Sequence, residues 1–329
     1  MADPRVAVVG ATGAVGQEMM EVLKKRNFPV GELVPLASER SRGKHVSFRG
    51  EEVAVQVLGR DSFKNVDLAL FSAGGSISKE LGPVAVESGA VVVDNSSAFR
   101  MDPDVPLVVP EVNPEAIKGH KGLIANPNCS TIIMVVALAP IHELSPITRV
   151  TVSTYQAASG AGAMGMHTLR RELAGEAIED SVFPHRLAGN LIPRIDTVMD
   201  GDYTREELKM VFETRKIMGL DDIPISATCV RVPVERTHSE SIQVMTKDAL
   251  KLDDIRAAFE RAPGVQVQDD LRADVYPTPL AVTGEDDVYI GRLRRAPDEA
   301  NVYDMWVVGD QLLKGAALNA VQIAERLDF

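Results

Sequence analysis

A glycine-spaced turn between an apolar strand and a helix constrains the fold of this chain most. The strand is predicted at Arg5–Val9 and the helix at 13–26, with Gly10, Gly13 and Gly16 at their junction. Glycines allow a tight bend and let the backbone approach a pyrophosphate, while a helix start offers unpaired N–H groups. The spacing is GxxGxxG rather than GxGxxG. Its place after the first strand still favours a dinucleotide site over a plain turn.

The first part of the chain continues to alternate short apolar strands with helices. This pattern predicts a parallel sheet that is buried on both faces and has right-handed crossovers. Beyond residue 129, Thr and Ser become more frequent in the strands, which favours a mixed or antiparallel sheet. The further predicted strands are 33–37, 67–71, 90–94, 149–156, 226–234 and 241–246. The further predicted helices are 76–88, 129–144, 164–175, 204–218 and 252–261.

A chain of 329 residues is too long for one ordinary core, so two domains are expected. The last segment, 311–327, reads as one amphipathic helix that packs back on the first domain. The second domain would then be an insertion. We therefore predict an α/β fold with a doubly wound, Rossmann-type dinucleotide-binding domain at 1–128 and 310–329. An α+β second domain is predicted at 129–309.

The composition of the chain argues against several kinds of binding partner and of structural site. A net charge of −12 argues against binding to nucleic acid or an anionic membrane. The longest apolar run, 132–139, is far short of the roughly 20 residues that span a bilayer. The start of the chain lacks the pattern of a signal peptide. Two cysteines form no disulfide framework, so a reducing cytoplasm is expected, and no metal site is predicted.

The end of the second strand bears on the choice of dinucleotide. The chain reads Ala-Ser-Glu-Arg-Ser-Arg over 37–42. Glu39 could bind a ribose hydroxyl, as an acid does in many NAD sites. Two arginines and two serines suit a 2′-phosphate better, because guanidinium pairs with phosphate in a bidentate way. We predict NADP, with a solvated basic loop as the alternative.

Cys129 is the strongest candidate nucleophile. It follows Asn-Pro-Asn and opens an apolar helix, where the helix dipole stabilises a thiolate. The alternative is a small buried residue at a helix start. Cys229 lies in the middle of a predicted strand and reads as core packing. His238 follows Pro233 and a turn, which predicts an exposed side chain and leaves it only a candidate acid or base.

Several motifs in order resemble those of the aspartate-semialdehyde dehydrogenase family, over nearly the whole chain. They are GATGAVG at 10–16, SAGGS at 72–76, NSSAFR at 95–100, NPNCST at 126–131, QAASGAG at 156–162, EELK at 206–209, RVPV at 231–234 and HSE at 238–240. The resemblance implies a second domain like that of glyceraldehyde-phosphate dehydrogenase, NADP as cofactor and a homodimer formed through that domain. The implied reactants are L-aspartyl 4-phosphate, L-aspartate 4-semialdehyde and inorganic phosphate.

The resemblance also implies catalytic roles. Cys129 is similar to the family's acyl-thioester nucleophile, His238 to its acid–base residue, and Gln156 to the residue that orients the substrate. Another acyl-phosphate reductase of the same architecture, such as N-acetyl-glutamyl-phosphate reductase, is the nearest alternative.

Four charged residues are similar to the family's substrate-binding set. Arg231 would hold the substrate carboxylate, Glu206 the α-amino group, and Arg100 with Lys209 the phosphate. From spacing alone, Glu206 and Lys209 would read as an exposed helical pair. Arg100 would read as a surface residue and Arg231 as a strand-edge charge.

The resemblance places further residues around the cofactor. Gln311 stands where the family usually has an asparagine that contacts the cofactor amide, and glutamine carries the same functional group on a longer side chain. The other implied cofactor-lining residues are Gly10, Thr12, Gly13, Ala14, Val15, Ser38, Arg40, Ser41, Ser72, Ala73, Ser159 and Gly160.

Overall fold

A computed structural model describes residues 3–329 of the chain. The chain forms two compact units. One comprises the chain up to Asn128 together with Ala316–Phe329, and the other comprises Cys129–Gly315. The chain thus returns to the first unit at residue 316, rather than at the predicted residue 310.

The first unit is built on a parallel sheet. Its strands and helices before the second unit are β1 (Arg5–Val9), α1 (Ala14–Lys25), β2 (Glu32–Ala37), β3 (His45–Phe48), β4 (Glu51–Ala54), β5 (Gln56–Val57), β6 (Leu68–Phe71), α2 (Gly75–Glu87), β7 (Val91–Asp94) and β8 (Leu123–Ala125). Six strands pair in the order β5-β2-β1-β6-β7-β8, and every pairing is parallel.

The centre of this sheet explains its strand sequences. Residues 6–9 of β1 and 68–71 of β6 have no exposed surface, so both faces of the sheet require apolar side chains. The small antiparallel pair β3–β4 stands apart from this sheet and was not predicted.

The second unit contains a mixed sheet. Its elements are α3 (Cys129–Leu144), β9 (Ile147–Gln156), α4 (Gly162–Leu173), α5 (Arg205–Met218), β10 (Ile225–Arg231), β11 (His238–Thr246), α6 (Leu252–Arg261), β12 (Val265–Val267), α7 (Pro279–Val282), β13 (Val288–Arg295) and β14 (Val302–Gly309). The order is β10-β9-β11-β14-β13-β12. β9 pairs parallel with β10, whereas β11 is antiparallel to both β9 and β14.

Helix α3 lies in the core of the second unit. It contacts α5, α6 and strands β9, β11, β13 and β14. Its residues 130–138 are all buried, which explains why the helix is apolar on every side. Among the described residues, no helix combines the length and apolar character needed to cross a bilayer.

The C-terminal segment differs from the single amphipathic helix that we predicted. It forms a π-helical segment at Leu313–Ala317, followed by α8 at Leu318–Ala324. Residues 310–321 are buried on all sides, including Lys314 and Asn319, so no polar face remains. α8 contacts α1 and β7 within the first unit, as expected for a segment that packs back on this domain.

Candidate active site

Three of the predicted functional side chains meet at one end of the second unit's sheet. Gln156 is the last residue of β9 and Arg231 the last of β10, and the two are paired in register. Because β11 runs antiparallel to β9, its first residue, His238, begins at the same end. Strand order and direction therefore bring together residues that are 82 positions apart in sequence.

His238 is completely buried, so the prediction of an exposed side chain was wrong. Its Nδ1 accepts a hydrogen bond of 3.1 Å from the backbone N–H of Ala157. A backbone nitrogen can only donate, so the neutral ring carries its proton on Nε2. Burial, together with the charge of Arg231, lowers the pKa of His238 to about 3, although the charge of Glu206 opposes this shift. The side chain is therefore a neutral imidazole that presents an N–H.

Gln156 links this histidine to helix α5. Its Nε2 donates to Glu206 Oε1 over 3.1 Å, and its Oε1 accepts from the Thr154 hydroxyl over 3.0 Å. The same Nε2 lies 3.5 Å from His238 Nε2. Both of these nitrogens carry hydrogen, so this contact is not a hydrogen bond. The N–H of His238 can thus donate to a substrate.

Glu206 and Lys209 form a largely buried ion pair, not the exposed helical pair that spacing alone suggested. Lys209 Nζ lies 2.9 Å from Glu206 Oε2 and 2.9 Å from Asp196 Oδ2. The Glu206 side chain is only 7% exposed. Burial disfavours the ammonium, but the two carboxylates outweigh burial and raise the pKa of Lys209. The site therefore holds fixed charges of both signs on one helix.

Arg231 is also buried rather than a strand-edge charge. Its Nη1 donates to the carbonyl of Ala157 over 2.6 Å, and its guanidinium lies 5.9 Å from the ring centre of Phe183. Burial lowers the pKa of Arg231, while the charge of Glu206 opposes this. The side chain lines a cavity of about 470 Å³, together with Phe183, Ile192, Arg194 and Asp196.

Gly160 closes over these groups in the short 3₁₀ helix after β9, Ala158–Ala161. A Cβ at this position would lie 2.7 Å from Arg231 Nη1 and 3.2 Å from His238 Cε1. Only glycine therefore lets the backbone approach both side chains this closely.

Cys129 is the first residue of α3, as predicted, and its side chain is partly exposed. The partial positive charge of a helix start stabilises a thiolate there. A Cβ added to Gly315 would lie 2.9 Å from Cys129 Cβ, so the backbone of Gly315 packs directly on the cysteine. The buried body of α3 gives this thiol a rigid support.

Gln311 and Ser159 are joined to each other and to the residue before His238. Gln311 Oε1 accepts from the Thr237 N–H over 2.8 Å, and Gln311 Nε2 donates to Ser159 Oγ. Thr237 has a φ of +80°. A β-branched residue rarely adopts this conformation, which costs about 1–3 kcal/mol unless its surroundings enforce it.

The predicted glycine loop has the geometry of a phosphate cradle. Gly10 has a φ of +88°, and a Cβ there would lie 2.9 Å from the carbonyl oxygen of Ser72. A Cβ on Gly16 would lie 2.2 Å from the carbonyl oxygen of Gly10. Helix α1 begins at Ala14 after Gly13, so Ala14 belongs to the first turn, whose N–H groups have no helical partner. These residues fit a dinucleotide pyrophosphate.

The segment after β2 provides the candidate 2′-phosphate site. Ser38 and Arg40 are exposed, whereas Ser41 is buried and its hydroxyl lies 3.2 Å from that of Thr12. Arg42 pairs with Glu39 over 2.7 Å, so this acid is already engaged by a cation. Val15 lies in the first turn of α1, and Ser72 and Ala73 directly follow β6, near Gly10.

Arg100 lies in the first unit and is buried rather than a plain surface residue. Its Nε donates to the carbonyl of Asn126 and its Nη2 to the carbonyl of Asn95, both over 2.9 Å. The backbone thus fixes the direction of the guanidinium. Lys209 belongs to the second unit, so the prediction that both residues hold one phosphate stays a prediction.

Comparisons with known proteins identify both parts of the chain. Residues 5–120 match a family model described as the NAD binding domain of semialdehyde dehydrogenase, and residues 138–314 match its dimerisation domain. The aspartate-semialdehyde dehydrogenase of Synechocystis is 51% identical, and the match covers 98% of this chain and 97% of that protein.

The chain belongs to the aspartate-semialdehyde dehydrogenase family. The resemblance seen in the sequence is confirmed, as is the combination of a Rossmann-type domain with a dimerisation domain. Membership of this family makes the chain an oxidoreductase of amino-acid biosynthesis.

Two solved structures of the family are similar to the whole chain. Aspartate semialdehyde dehydrogenase II from Vibrio cholerae, complexed with ASA, superposes with a TM-score of 0.96 at 46% identity. That match covers 99% of this chain and 98% of the other. The Candida albicans family member, solved with NADP, gives 0.76 at 26% identity and covers 99% and 98%.

Sequence reasoning missed three features of the site. Thr237 and Gly315 contact the neighbours described above, but neither carries a motif that would reveal this contact in advance. Glu240 lies two residues after His238, is completely buried, and has no hydrogen-bond partner for either oxygen within residues 3–329. Burial raises the pKa of Glu240 well above its ordinary value.

Cys229 has the structural role that we predicted. It is completely buried, and its Sγ lies 3.8 Å from the sulfur of Met210. Burial, with a contribution from the charge of Glu206, raises the pKa of its thiol. Its thiol is thus protonated at neutral pH and is a poor nucleophile.

Proposed function

We propose that the chain catalyses the NADPH-dependent reductive dephosphorylation of L-aspartyl 4-phosphate to L-aspartate 4-semialdehyde. This step serves the biosynthesis of lysine and diaminopimelate, threonine and methionine. The observation that carries the proposal is the convergence of Gln156, Arg231, Glu206 and a neutral, N–H-presenting His238 at one end of the sheet. The similar Vibrio cholerae structure complexed with ASA supports it.

The charges of the site suit this substrate. L-Aspartyl 4-phosphate carries a carboxylate, an ammonium and a phosphate. Arg231 offers a fork-shaped guanidinium for the carboxylate, Glu206 a carboxylate for the ammonium, and Lys209 a point charge for the phosphate. Arg100 would be the second phosphate ligand. An N-acetylated substrate has no ammonium and would leave Glu206 without a substrate partner, which disfavours N-acetyl-glutamyl-phosphate reductase activity.

The covalent chemistry begins at Cys129. Its thiolate attacks the acyl carbon, a C–S bond forms, and the C–O bond to phosphate breaks as phosphate leaves with the electron pair. The resulting thioester splits one displacement into two easier steps. After reduction, the oxyanion of the thiohemiacetal re-forms a carbonyl, the C–S bond breaks, and its electron pair returns to the sulfur as thiolate.

His238 would stabilise the oxygen that gains charge in these steps. Its Nε2–H can donate to the oxyanion, while the bond from Ala157 N–H to Nδ1 holds the ring in this tautomer.

The cofactor residues of the first unit would hold NADPH, which when bound supplies the hydride that reduces the thioester. Gly10, Gly13 and the first turn of α1 would bind the pyrophosphate. Arg40, with Ser38 and Ser41, would bind the 2′-phosphate. Two observations favour NADP over NAD: Glu39 is paired with Arg42, and the exposed Arg40 has no ion pair within residues 3–329. The Candida albicans complex with NADP supports this choice.

We also propose that the protein forms a homodimer and is located in the cytoplasm. The match of residues 138–314 to a dimerisation domain supports a homodimer formed through the second unit. The biosynthetic role supports a cytoplasmic location.

The test is phosphate-dependent reduction of NADP in the presence of L-aspartate 4-semialdehyde, followed at the nicotinamide absorbance. Cys129→Ala should abolish turnover and still bind NADP. Cys229→Ala is the matched control, because it removes a buried thiol that takes no part in the chemistry. Substantial activity in Cys129→Ala would exclude the covalent scheme. If the protein oxidised N-acetyl-glutamate semialdehyde and not L-aspartate 4-semialdehyde, the proposed substrate would be excluded.

The cofactor choice is tested with Arg40→Ala. This variant should raise the KM for NADP and leave the KM for NAD nearly unchanged, because only NADP carries the 2′-phosphate. A wild-type preference for NAD would overturn the assignment.

A further inference from the structure

The backbone before His238 is held in an unfavourable conformation by two residues that follow β14. Arg236 Nε pairs with Asp310 Oδ2 over 2.7 Å, and the N–H of Thr237 donates to Gln311 Oε1 over 2.8 Å. Asp310 is itself fixed, because its Oδ2 accepts from Gly284 N–H and its Oδ1 from Leu312 N–H. Asp310 and Gln311 thus hold Arg236 and Thr237, which lie in the loop before β11.

Thr237 is the strained member of this arrangement. Its φ of +80° is outside the range that β-branched residues normally adopt. Its side chain is completely buried and its hydroxyl lies 2.8 Å from that of Thr283. Strained residues persist only where the surroundings fix them, and they are concentrated at functional sites.

We propose that Gln311 is a positioning residue for His238: through Thr237 it fixes where β11 begins, and so holds the imidazole on the Ala157 N–H. The proposal assigns the Gln311 amide a role within the protein, in place of a contact with the cofactor. It relies on the role proposed above for His238.

The bonds of the Gln311 amide support this role. Its oxygen accepts from Thr237, and its nitrogen donates to Ser159 Oγ, which lies on the 3₁₀ helix that covers the histidine. The loop of Ser159 is in turn tied to the loop of Thr237, because Ala158 N–H donates to Val234 and Ser159 N–H to Glu235. Gln311 is therefore a bridge between both segments that surround His238.

Two variants separate this role from a cofactor contact. Gln311→Met keeps the length of the side chain but removes the acceptor of the Thr237 N–H. Thr237→Gly permits a positive φ without steric cost, so it removes the need for the restraint. Gln311→Met should lower kcat on the order of tenfold, the usual effect of losing a buried hydrogen bond. In the Thr237→Gly background, the same substitution should change kcat by less than about threefold.

The decisive readout uses the cofactor-free protein. Nitrogen NMR of labelled histidine, with His238→Asn to assign the signal, should show a wild-type ring protonated on Nε2. Gln311→Met should shift this signal toward a mixture of tautomers. In a separate kinetic assay, the same variant should have a KM for NADP close to the wild-type value. Thermal unfolding of each variant verifies that it is folded.

An unchanged His238 signal in Gln311→Met would overturn the proposal. So would a raised KM for NADP with an unchanged kcat, which is the result expected of a cofactor contact alone. The NMR measurement needs neither substrate nor cofactor. If the wild-type protein failed to oxidise L-aspartate 4-semialdehyde, the function would fail while the restraint on His238 was still tested.

Discussion

Glu240 should make the stability of this protein fall as pH rises through the mildly acidic range. The side chain is completely buried and neither oxygen has a hydrogen-bond partner within residues 3–329. Burial raises the pKa of Glu240 well above 4.5, its ordinary value. An isolated carboxylate in such surroundings is costly, so the folded protein keeps the proton that the unfolded chain releases.

The direction and magnitude of this change in stability follow from the linkage between proton binding and folding. Above pH 4.5 the folded state binds one more proton at Glu240 than the unfolded state does, so the stability that this group contributes is present below pH 4.5 and is lost as pH rises. The loss approaches about 1.4 kcal/mol per pH unit until the folded-state pKa is reached.

The substitution Glu240→Gln isolates this contribution, because glutamine has the same shape and does not titrate. Urea unfolding at fixed protein concentration would be followed by circular dichroism at several pH values. The free-energy difference between wild type and variant should then change by about 1.4 kcal/mol for each pH unit above 4.5, in favour of the variant at the higher pH. Glu260→Gln, which removes an exposed carboxylate from α6, is the control. If the free energy of unfolding changed with pH in the same way for wild type and Glu240→Gln, this prediction would be refuted.

Three further substitutions test the packing and charge of the site. Gly315→Ala places a Cβ 2.9 Å from Cys129 Cβ, so the rate of Cys129 alkylation by iodoacetamide should change severalfold, and an unchanged rate would contradict the contact. Gly160→Ala places a Cβ 2.7 Å from Arg231 Nη1, so it should raise the KM for L-aspartate 4-semialdehyde about tenfold or more. A KM equal to that of the wild type would show that the segment around Gly160 moves aside without cost. Arg231→Lys replaces a fork by a point charge, so kcat/KM should also fall about tenfold or more, and a near-wild-type value would exclude Arg231 as the carboxylate ligand.

Much of the first unit could be predicted, because its strands are buried on both faces and its turns carry glycine. The strand Arg5–Val9 and, in the second unit, the helix Leu252–Arg261 have the bounds that we predicted. The pair Val288–Arg295 and Val302–Gly309 was not predicted. The first of these strands ends in several arginines, and its pairing with the second has a register shift after Gly291, so no simple alternation marks it.

For the candidate site, the position of Cys129 at a helix start could be predicted, but the surroundings of the other residues could not. The opening of an apolar helix marked Cys129 in advance, since helix starts have a known effect on thiols. His238 was predicted to be exposed because a turn precedes it, yet segments distant in sequence, around Ser159 and Gln311, cover that turn. Burial of this kind depends on tertiary contacts that no local pattern records.

The contact between Gly315 and Cys129 has a consequence for the architecture of the chain. These residues are the last and the first of the second unit, so the inserted segment leaves and rejoins the host at almost the same point. A segment whose termini touch can be gained or lost by a host domain with little disturbance. The proposed nucleophile is thus the first residue of the inserted segment.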